Sequence, residues 1–147
     1  MSTFAKIEED FKKALKSKDE ETVSTLRLLK SVIKNKEIEK RGKLKEKELQ
    51  DLIFKEIKKR KEARDIYEKA GRVELQEKEN KEKEILEKYL PEQISEEELA
   101  QVIKEVILKV GASGPQDIGK VMSKLMPRLK GRVEGSVVSK KVQELLS

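Results

Sequence analysis

The apolar residues of this chain recur every three or four positions along most of its length, with Lys and Glu filling many of the positions between them. This spacing places apolar side chains on one stripe of an α-helix, whereas a half-buried strand would need strict alternation over several residues. Charged residues make up 44% of the sequence and hydrophobic residues 35%, so each stripe is narrow and a single thick core is not expected. The sequence therefore predicts an all-α fold built from thin layers of helices.

The first two helices are predicted on either side of a short polar break. The first covers residues 4–16, with Thr3 as its N-cap. The second begins after Asp19, which we expect to cap it, and ends near Gly42, because glycine commonly terminates a helix.

A long helical hairpin is predicted next. Its two helices cover residues 45–70 and 73–90, and the short link at Gly71 favours an antiparallel pair. The middle of the second helix, from Gln76 to Glu84, is entirely polar, so we expect its side chains, Glu82 among them, to be solvated.

Pro91 marks the predicted boundary between an N-terminal helical domain, residues 1–92, and a small three-helix C-terminal domain, residues 93–147. In the second domain, Ser95 with Glu98 and Ser113 with Gln116 have the spacing of capping boxes and predict two helix starts. Pro127 is expected to kink or end the middle helix, and the last helix follows Gly135.

The sequence lacks the usual means of catalysis. It contains no His and no Cys, which removes the commonest general base, the commonest metal ligand and thiolate chemistry. Paired carboxylates such as Glu96 to Glu98 fit better as first-turn residues that favour the helix dipole. We therefore expect no enzyme activity, no cofactor and no metal. No hydrophobic signal region and no long apolar run is found, so we also expect a cytoplasmic location and no membrane partner.

Positive charge is unevenly distributed over the chain. Residues 11–47 hold 13 Lys and Arg against 6 Asp and Glu, and residues 112–147 hold 7 against 3. The Lys/Arg clusters of the predicted first and third helices, around Lys12 and Lys58, are interspersed with Glu and are interpreted as solvated faces.

The C-terminal basic residues are the stronger candidates for binding a polyanion such as RNA, because few acids lie near them and glycines flank several of them. Glycine lets a phosphate backbone approach closely and leaves backbone amides free to donate. Two alternatives remain open: Gly119 could instead permit close helix packing, and Gly131 could only end a helix. The candidate nucleic-acid-binding residues are Gly119, Lys120, Lys124, Arg128, Lys130, Gly131, Arg132, Gly135, Lys140 and Lys141.

All five aromatic residues of the chain precede Pro91. The basic C-terminal part therefore has no ring on which an unpaired base could stack. If it binds nucleic acid, we expect it to recognise backbone and shape.

Several stretches of the sequence resemble the GatB/YqeY family in its stand-alone form. They are Tyr89-Leu90-Pro91-Glu92-Gln93, Val110-Gly111-Ala112-Ser113, Asp117-Ile118-Gly119-Lys120-Val121-Met122 and Lys130-Gly131-Arg132-Val133-Glu134-Gly135. Glu134 departs from the family pattern, which usually has Asp before the last glycine. The resemblance implies the two-domain helical fold above and a C-terminal module similar to the tail of the amidotransferase B subunit, which grips tRNA while the chemistry is done elsewhere. Its matching positions here are Gly119, Lys120, Lys130, Gly131, Arg132 and Gly135.

Three functions follow as hypotheses. The first is a non-catalytic tRNA-binding module. The second is an accessory of an amidotransferase, a translation-related enzyme, associated with carbon–nitrogen ligation that uses glutamine as amido donor. The third is a protein-interaction module in which the long hairpin docks a partner helix through its apolar stripe.

Overall fold

A computed structural model describes residues 2–147, and all regular structure in that range is helical. The all-α prediction is thereby confirmed. The elements are α1 (Thr3–Ser17), α2 (Glu20–Lys40), α3 (Glu46–Lys69), α4 (Val73–Glu87), α5 (Glu96–Val110), a short 3-10 turn (Pro115–Asp117), α6 (Ile118–Leu129) and α7 (Gly135–Leu146). No helix formed by residues 2–147 is both long enough and apolar enough to cross a membrane.

The chain divides into two compact units, one ending at Leu90 and the other beginning at Pro91. In the first unit, the apolar stripes of α1 to α4 meet in one core. The ring of Tyr89, just after α4, is buried in this core, and its hydroxyl donates to Asp10 Oδ2 at 2.6 Å. Burial and this hydrogen bond raise the pKa of Tyr89 well above its usual value. The core residues are Ile7, Leu26, Leu29, Ile33, Leu49, Leu52, Ile53, Ile57, Leu86, Tyr89 and Leu90.

Helices α3 and α4 form the predicted hairpin and pack on each other more extensively than any other pair of helices in the described chain. Only the half of the hairpin near the core is apolar. From residue 58 to residue 84 no apolar side chain is buried, and the two helices are joined there by polar contacts. Arg60 Nε on α3 lies 3.0 Å from Glu82 Oε2 and 3.7 Å from Glu79 Oε2 on α4.

The expectation that Glu82 is solvated is wrong, because its side chain is only 15% exposed and is paired with Arg60. The predicted docking stripe is wrong in its first half too, since Leu49, Ile53 and Ile57 are buried in the core of their own unit.

The observed ends of α1 and α2 agree only in part with those predicted from the sequence. Asp19 caps α2 as predicted, and its carboxylate accepts from the backbone N–H of Thr22 at 3.2 Å. The cap of α1 is Ser2 and not Thr3, because the Thr3 hydroxyl is engaged with the Glu46 carboxylate instead. The C-cap of α2 is Arg41, one residue before the predicted stop at Gly42, and it adopts the left-handed conformation (φ 63°).

The second unit packs α5, α6 and α7 around one core, so the predicted three-helix architecture is confirmed. The core residues are Leu99, Ile103, Val106, Val121, Leu125, Leu129, Val138, Val142 and Leu146. Ser95 caps α5 as expected, since its hydroxyl accepts from the backbone N–H of Glu98.

One local prediction for the second unit is wrong, and α6 does not end at Pro127 itself. The Ser113 backbone N–H donates to Asp117 Oδ2 at 3.0 Å, so the turn before α6 is organised by Asp117 and not by a box with Gln116. Helix α6 continues past Pro127 to Leu129. Pro127 has no N–H to donate to the carbonyl of Ser123, so it removes one backbone hydrogen bond of α6, and the helix ends two residues later.

Candidate nucleic-acid interface

A row of basic residues follows one flank of α6. Lys120, Lys124 and Arg128 are spaced four residues apart, so each is turned only about 40° from the one before. The row is exposed, whereas Val121, Leu125 and Leu129 form the buried side of the same helix.

Two members of this row have an acidic neighbour, and both pairs are exposed. Lys120 Nζ lies 3.9 Å from Asp117 Oδ1, and the Lys120 side chain is 72% exposed. Arg128 lies 3.5 Å from Glu105, and both of these side chains are largely exposed. Exposed pairs of this kind contribute about 0–1 kcal/mol, so an incoming phosphate can replace either carboxylate at little cost.

Gly119 lies beside this row and is exposed. A Cβ atom added at Gly119 would meet no neighbouring atom within 4 Å. The alternative that Gly119 permits close helix packing is therefore wrong for contacts among the described residues. The surface beside Lys120 is open to close approach from outside.

Lys130, Gly131 and Arg132 form the turn that follows α6. Lys130 has φ −55° and ψ 121°, Gly131 has φ 78°, and the Arg132 N–H donates to Leu129 O at 3.0 Å. This is a type II β-turn, whose third residue needs a positive φ and therefore favours glycine. Gly131 thus has a structural role of its own, and the turn presents the exposed Lys130 just beyond the α6 row.

The side chain of Arg132 is already engaged within the second unit. Its Nε donates to Glu92 O at 3.0 Å, and its guanidinium lies 3.7 Å from Glu98 Oε2. Its backbone carbonyl accepts from the Ile94 N–H at 3.1 Å. Arg132 therefore fastens the segment before α5 to the turn after α6, and it is less available to a ligand than the α6 row.

The remaining candidates lie on α7. Gly135 is the first residue of that helix, and an added Cβ there would make ordinary contact with Met126 at 3.8 Å. Lys140 is exposed and, by helical geometry, points away from the buried side of α7. Lys141 lies 3.6 Å from Glu144 on the same helix.

Sequence reasoning assigned no residues to a second basic surface, which lies in the N-terminal unit. There Arg27, Lys30, Lys34 and Lys43 line a groove of about 400 Å³ together with the half-buried ring of Phe4. The charge surplus of residues 11–47 was the available signal. The sequence did not show that these cations converge beside an aromatic ring, because that depends on how α1 packs against α2.

The candidate residues offer charged side chains on the surface of the protein and not a metal site. Across residues 2–147 no group of three or more Asp and Glu side chains is arranged to hold a metal ion. The α6 row with its adjoining turn and the N-terminal groove are both rich in cations, so both favour anions.

Comparison with known proteins gives consistent matches. The sequence profile of the Yqey-like protein family matches residues 4–146. The chain is 29% identical over 144 residues to altered inheritance of mitochondria protein 41, mitochondrial, of Pyrenophora tritici-repentis, covering 96% of this chain and 79% of that relative. It is 36% identical over 118 residues to the protein of the same name from Lachancea thermotolerans, covering 78% of this chain and 63% of that relative.

The predicted cytoplasmic location is wrong by this comparison. Both relatives are named as mitochondrial proteins, and so are those from Eremothecium gossypii and Kluyveromyces lactis. The prediction rested on the lack of a hydrophobic signal region, but mitochondrial targeting segments are amphipathic and Arg-rich, so hydrophobicity does not reveal them. Because the profile match runs over nearly the whole sequence, the chain belongs to the Yqey-like protein family.

Proposed function

We propose that this protein binds tRNA through its C-terminal unit and catalyses no reaction itself. The contacts are made by Lys120, Lys124 and Arg128 on α6 and by Lys130 in the following turn. Lys140 on α7 adds a further positive charge to the same unit.

The single observation that carries this proposal is the α6 row beside an open glycine. Three cations at four-residue spacing form a ridge, and the empty space over Gly119 lets a phosphate backbone approach the helix. The C-terminal unit contains no aromatic residue. A surface of this composition favours the folded backbone of an RNA over its splayed bases.

The test is a salt-dependent titration of tRNA with the full chain and with a Lys120→Gln/Lys124→Gln variant. Each phosphate contact contributes roughly 0.7–0.9 to the slope of log K against log salt, so the slope should fall by about 1.4–1.8 in the variant. Lys104→Gln/Lys109→Gln, which removes two exposed lysines from α5, is the matched control and should leave the slope unchanged.

Two outcomes would refute the proposal. One is an equal loss of slope in the test variant and the α5 control, which would mean that only the net charge matters. The other is equally weak binding of tRNA, single-stranded RNA of the same length and a polyanion such as heparin.

The absence of catalysis is part of the proposal. It is supported by the lack of His and Cys and by the lack of an activated nucleophile among the motifs of the sequence. An accessory role beside an amidotransferase remains compatible with tRNA binding. Incubating the purified protein with misacylated tRNA, glutamine and ATP should yield no amidated aminoacyl-tRNA, and formation of that product without another enzyme would contradict the proposal.

A second candidate function, docking of a protein partner, is favoured by one specific observation. The outer end of the α3–α4 hairpin exposes three apolar side chains: Ile66 is 65% exposed, Val73 58% and Leu75 39%. An Ile66→Ser/Val73→Ser variant should lose partners captured by the full chain after nuclease treatment. Retention of the same partners would exclude the hairpin end as the docking surface.

A further inference from the structure

The groove between α1 and α2 combines positive charge with aromatic surface. Its volume is about 400 Å³. Phe4 and Phe11 on α1 form part of one wall, and both rings also pack against the core of the N-terminal unit. The basic residues of the groove are Arg27, Lys30 and Lys34 on α2 and Lys43 in the loop that follows.

These four cations are not neutralised by the protein. Among the described residues, the ion pairs closer than 4.0 Å include none made by Arg27, Lys30, Lys34 or Lys43. The one carboxylate in the groove, that of Glu37, already accepts from a backbone amide of the α2–α3 loop at 3.1 Å. The groove therefore holds a surplus of positive charge that a ligand would have to balance.

The aromatic rings give the groove a second property. Lys30 Nζ lies 4.6 Å from the centre of the Phe11 ring, and Arg27 Cζ lies 5.8 Å from it. These cation–π contacts hold both charges at the edge of the groove. No cation is recorded over the Phe4 ring in the described structure, so that half-buried ring can accept a flat apolar group.

We propose that this groove binds a single-stranded segment of RNA, with phosphates at Arg27, Lys30, Lys34 and Lys43 and an unpaired base against Phe4. Cations that track a backbone beside a ring that stacks a base are the combination by which single strands are held. An acidic peptide would satisfy the cations but would leave the ring without a matching group. The site belongs to the N-terminal unit and goes beyond the tRNA contacts proposed for α6.

The experiment measures binding of a fluorescently labelled oligouridylate to the full chain as a function of salt. Lys30→Gln/Lys34→Gln should lower the salt slope by about 1.4 and weaken binding near 0.1 M salt by roughly 25-fold, since each single-strand contact contributes about 0.7. Phe4→Leu keeps an apolar side chain in the core and should weaken binding by roughly fivefold or more at an unchanged slope. Lys58→Gln/Lys61→Gln on α3 removes the same charge from exposed positions outside the groove and should have no effect.

Circular dichroism and the urea midpoint of each variant establish that it is folded. The inference is overturned if the Lys30/Lys34 variant binds like the α3 control, if Phe4→Leu leaves the affinity unchanged, or if an oligoglutamate peptide binds as tightly as the oligouridylate. In the Lys120→Gln/Lys124→Gln background, Lys30→Gln/Lys34→Gln should cause the same further loss of oligouridylate binding as it does in the full chain. The groove and the α6 surface can therefore fail or succeed independently.

Discussion

Arg60 is expected to be the main link between the two helices in the outer half of the hairpin. The Arg60 side chain is only 14% exposed, and its guanidinium lies beside the carboxylates of Glu82 and Glu79, whose side chains are 15% and 17% exposed. The Arg60 Nε–H is not aimed along a hydrogen bond to either of them, so the link is mainly one of charge. Replacing Arg60 by Met keeps a long apolar side chain and leaves both carboxylates without their cation.

The free energy of unfolding should fall by about 2 kcal/mol in Arg60→Met. Removing one partner of a fully buried ion pair costs roughly 3–5 kcal/mol, and the residual exposure and imperfect geometry of this pair place it below that range. With a urea dependence of about 2 kcal/mol per molar, the unfolding midpoint should move down by about 1 M.

Tyrosine fluorescence is a suitable measurement, because the chain has no Trp and both Tyr67 and Tyr89 lie in the N-terminal unit. Lys61→Met, at an exposed position of the same helix, is the control and should change stability by less than about 0.5 kcal/mol. Adding Glu79→Gln and Glu82→Gln to Arg60→Met should recover part of the loss. A midpoint for Arg60→Met equal to that of the control would refute the reasoning.

Three further predictions concern stability. Arg41→Gly should stabilise the protein by about 0.5–1 kcal/mol in thermal unfolding, because Arg41 has φ 63° and glycine adopts that conformation without strain, whereas Arg41→Ala should give no gain. Glu134→Asp should stabilise α7 by about 0.5–1 kcal/mol in urea, since Glu134 precedes that helix without a side-chain capping bond and Asp is short enough to make one. Burial, and then the charge of Glu82, raise the pKa of Glu79 against the opposing effect of Arg60. Protonated Glu79 therefore favours the folded state below its ordinary pKa, and this contribution is lost as pH rises through the raised pKa of the folded protein. Glu79→Gln should accordingly stabilise the protein at pH 7 and give no gain below about pH 4.

The approximate positions of the helices could be predicted from the sequence, because their apolar stripes depend only on the spacing of nearby residues. The ends of the helices were harder to predict where neighbouring residues compete for one role. Ser2 caps α1 because the Thr3 hydroxyl is engaged by Glu46, which is distant in sequence. Arg41 adopts the left-handed conformation that ends α2, one residue before the glycine at which the helix was expected to end.

The spacing of the α6 cations along one flank of a helix could be predicted from the sequence. Which of the candidate cations are engaged by other groups of the protein could not. A cation at position 132 looks the same in the sequence as one at position 124, yet Arg132 is bonded to the carbonyl of Glu92 while Lys124 is exposed. The N-terminal groove was missed for the same reason. Its cations and its rings come from two different helices, and their proximity depends on tertiary packing.

The outer half of the α3–α4 hairpin is held together by polar contacts, so it should open locally and accept changes in length more readily than the core. Because no apolar side chain between residues 58 and 84 is buried, separating the two arms there exposes little apolar surface. Amide protons of this stretch should exchange with solvent at a smaller free-energy cost than those near Ile53 or Leu86. Matched insertions or deletions of whole helical turns in α3 and α4 would lengthen or shorten the hairpin without disrupting the core of the N-terminal unit.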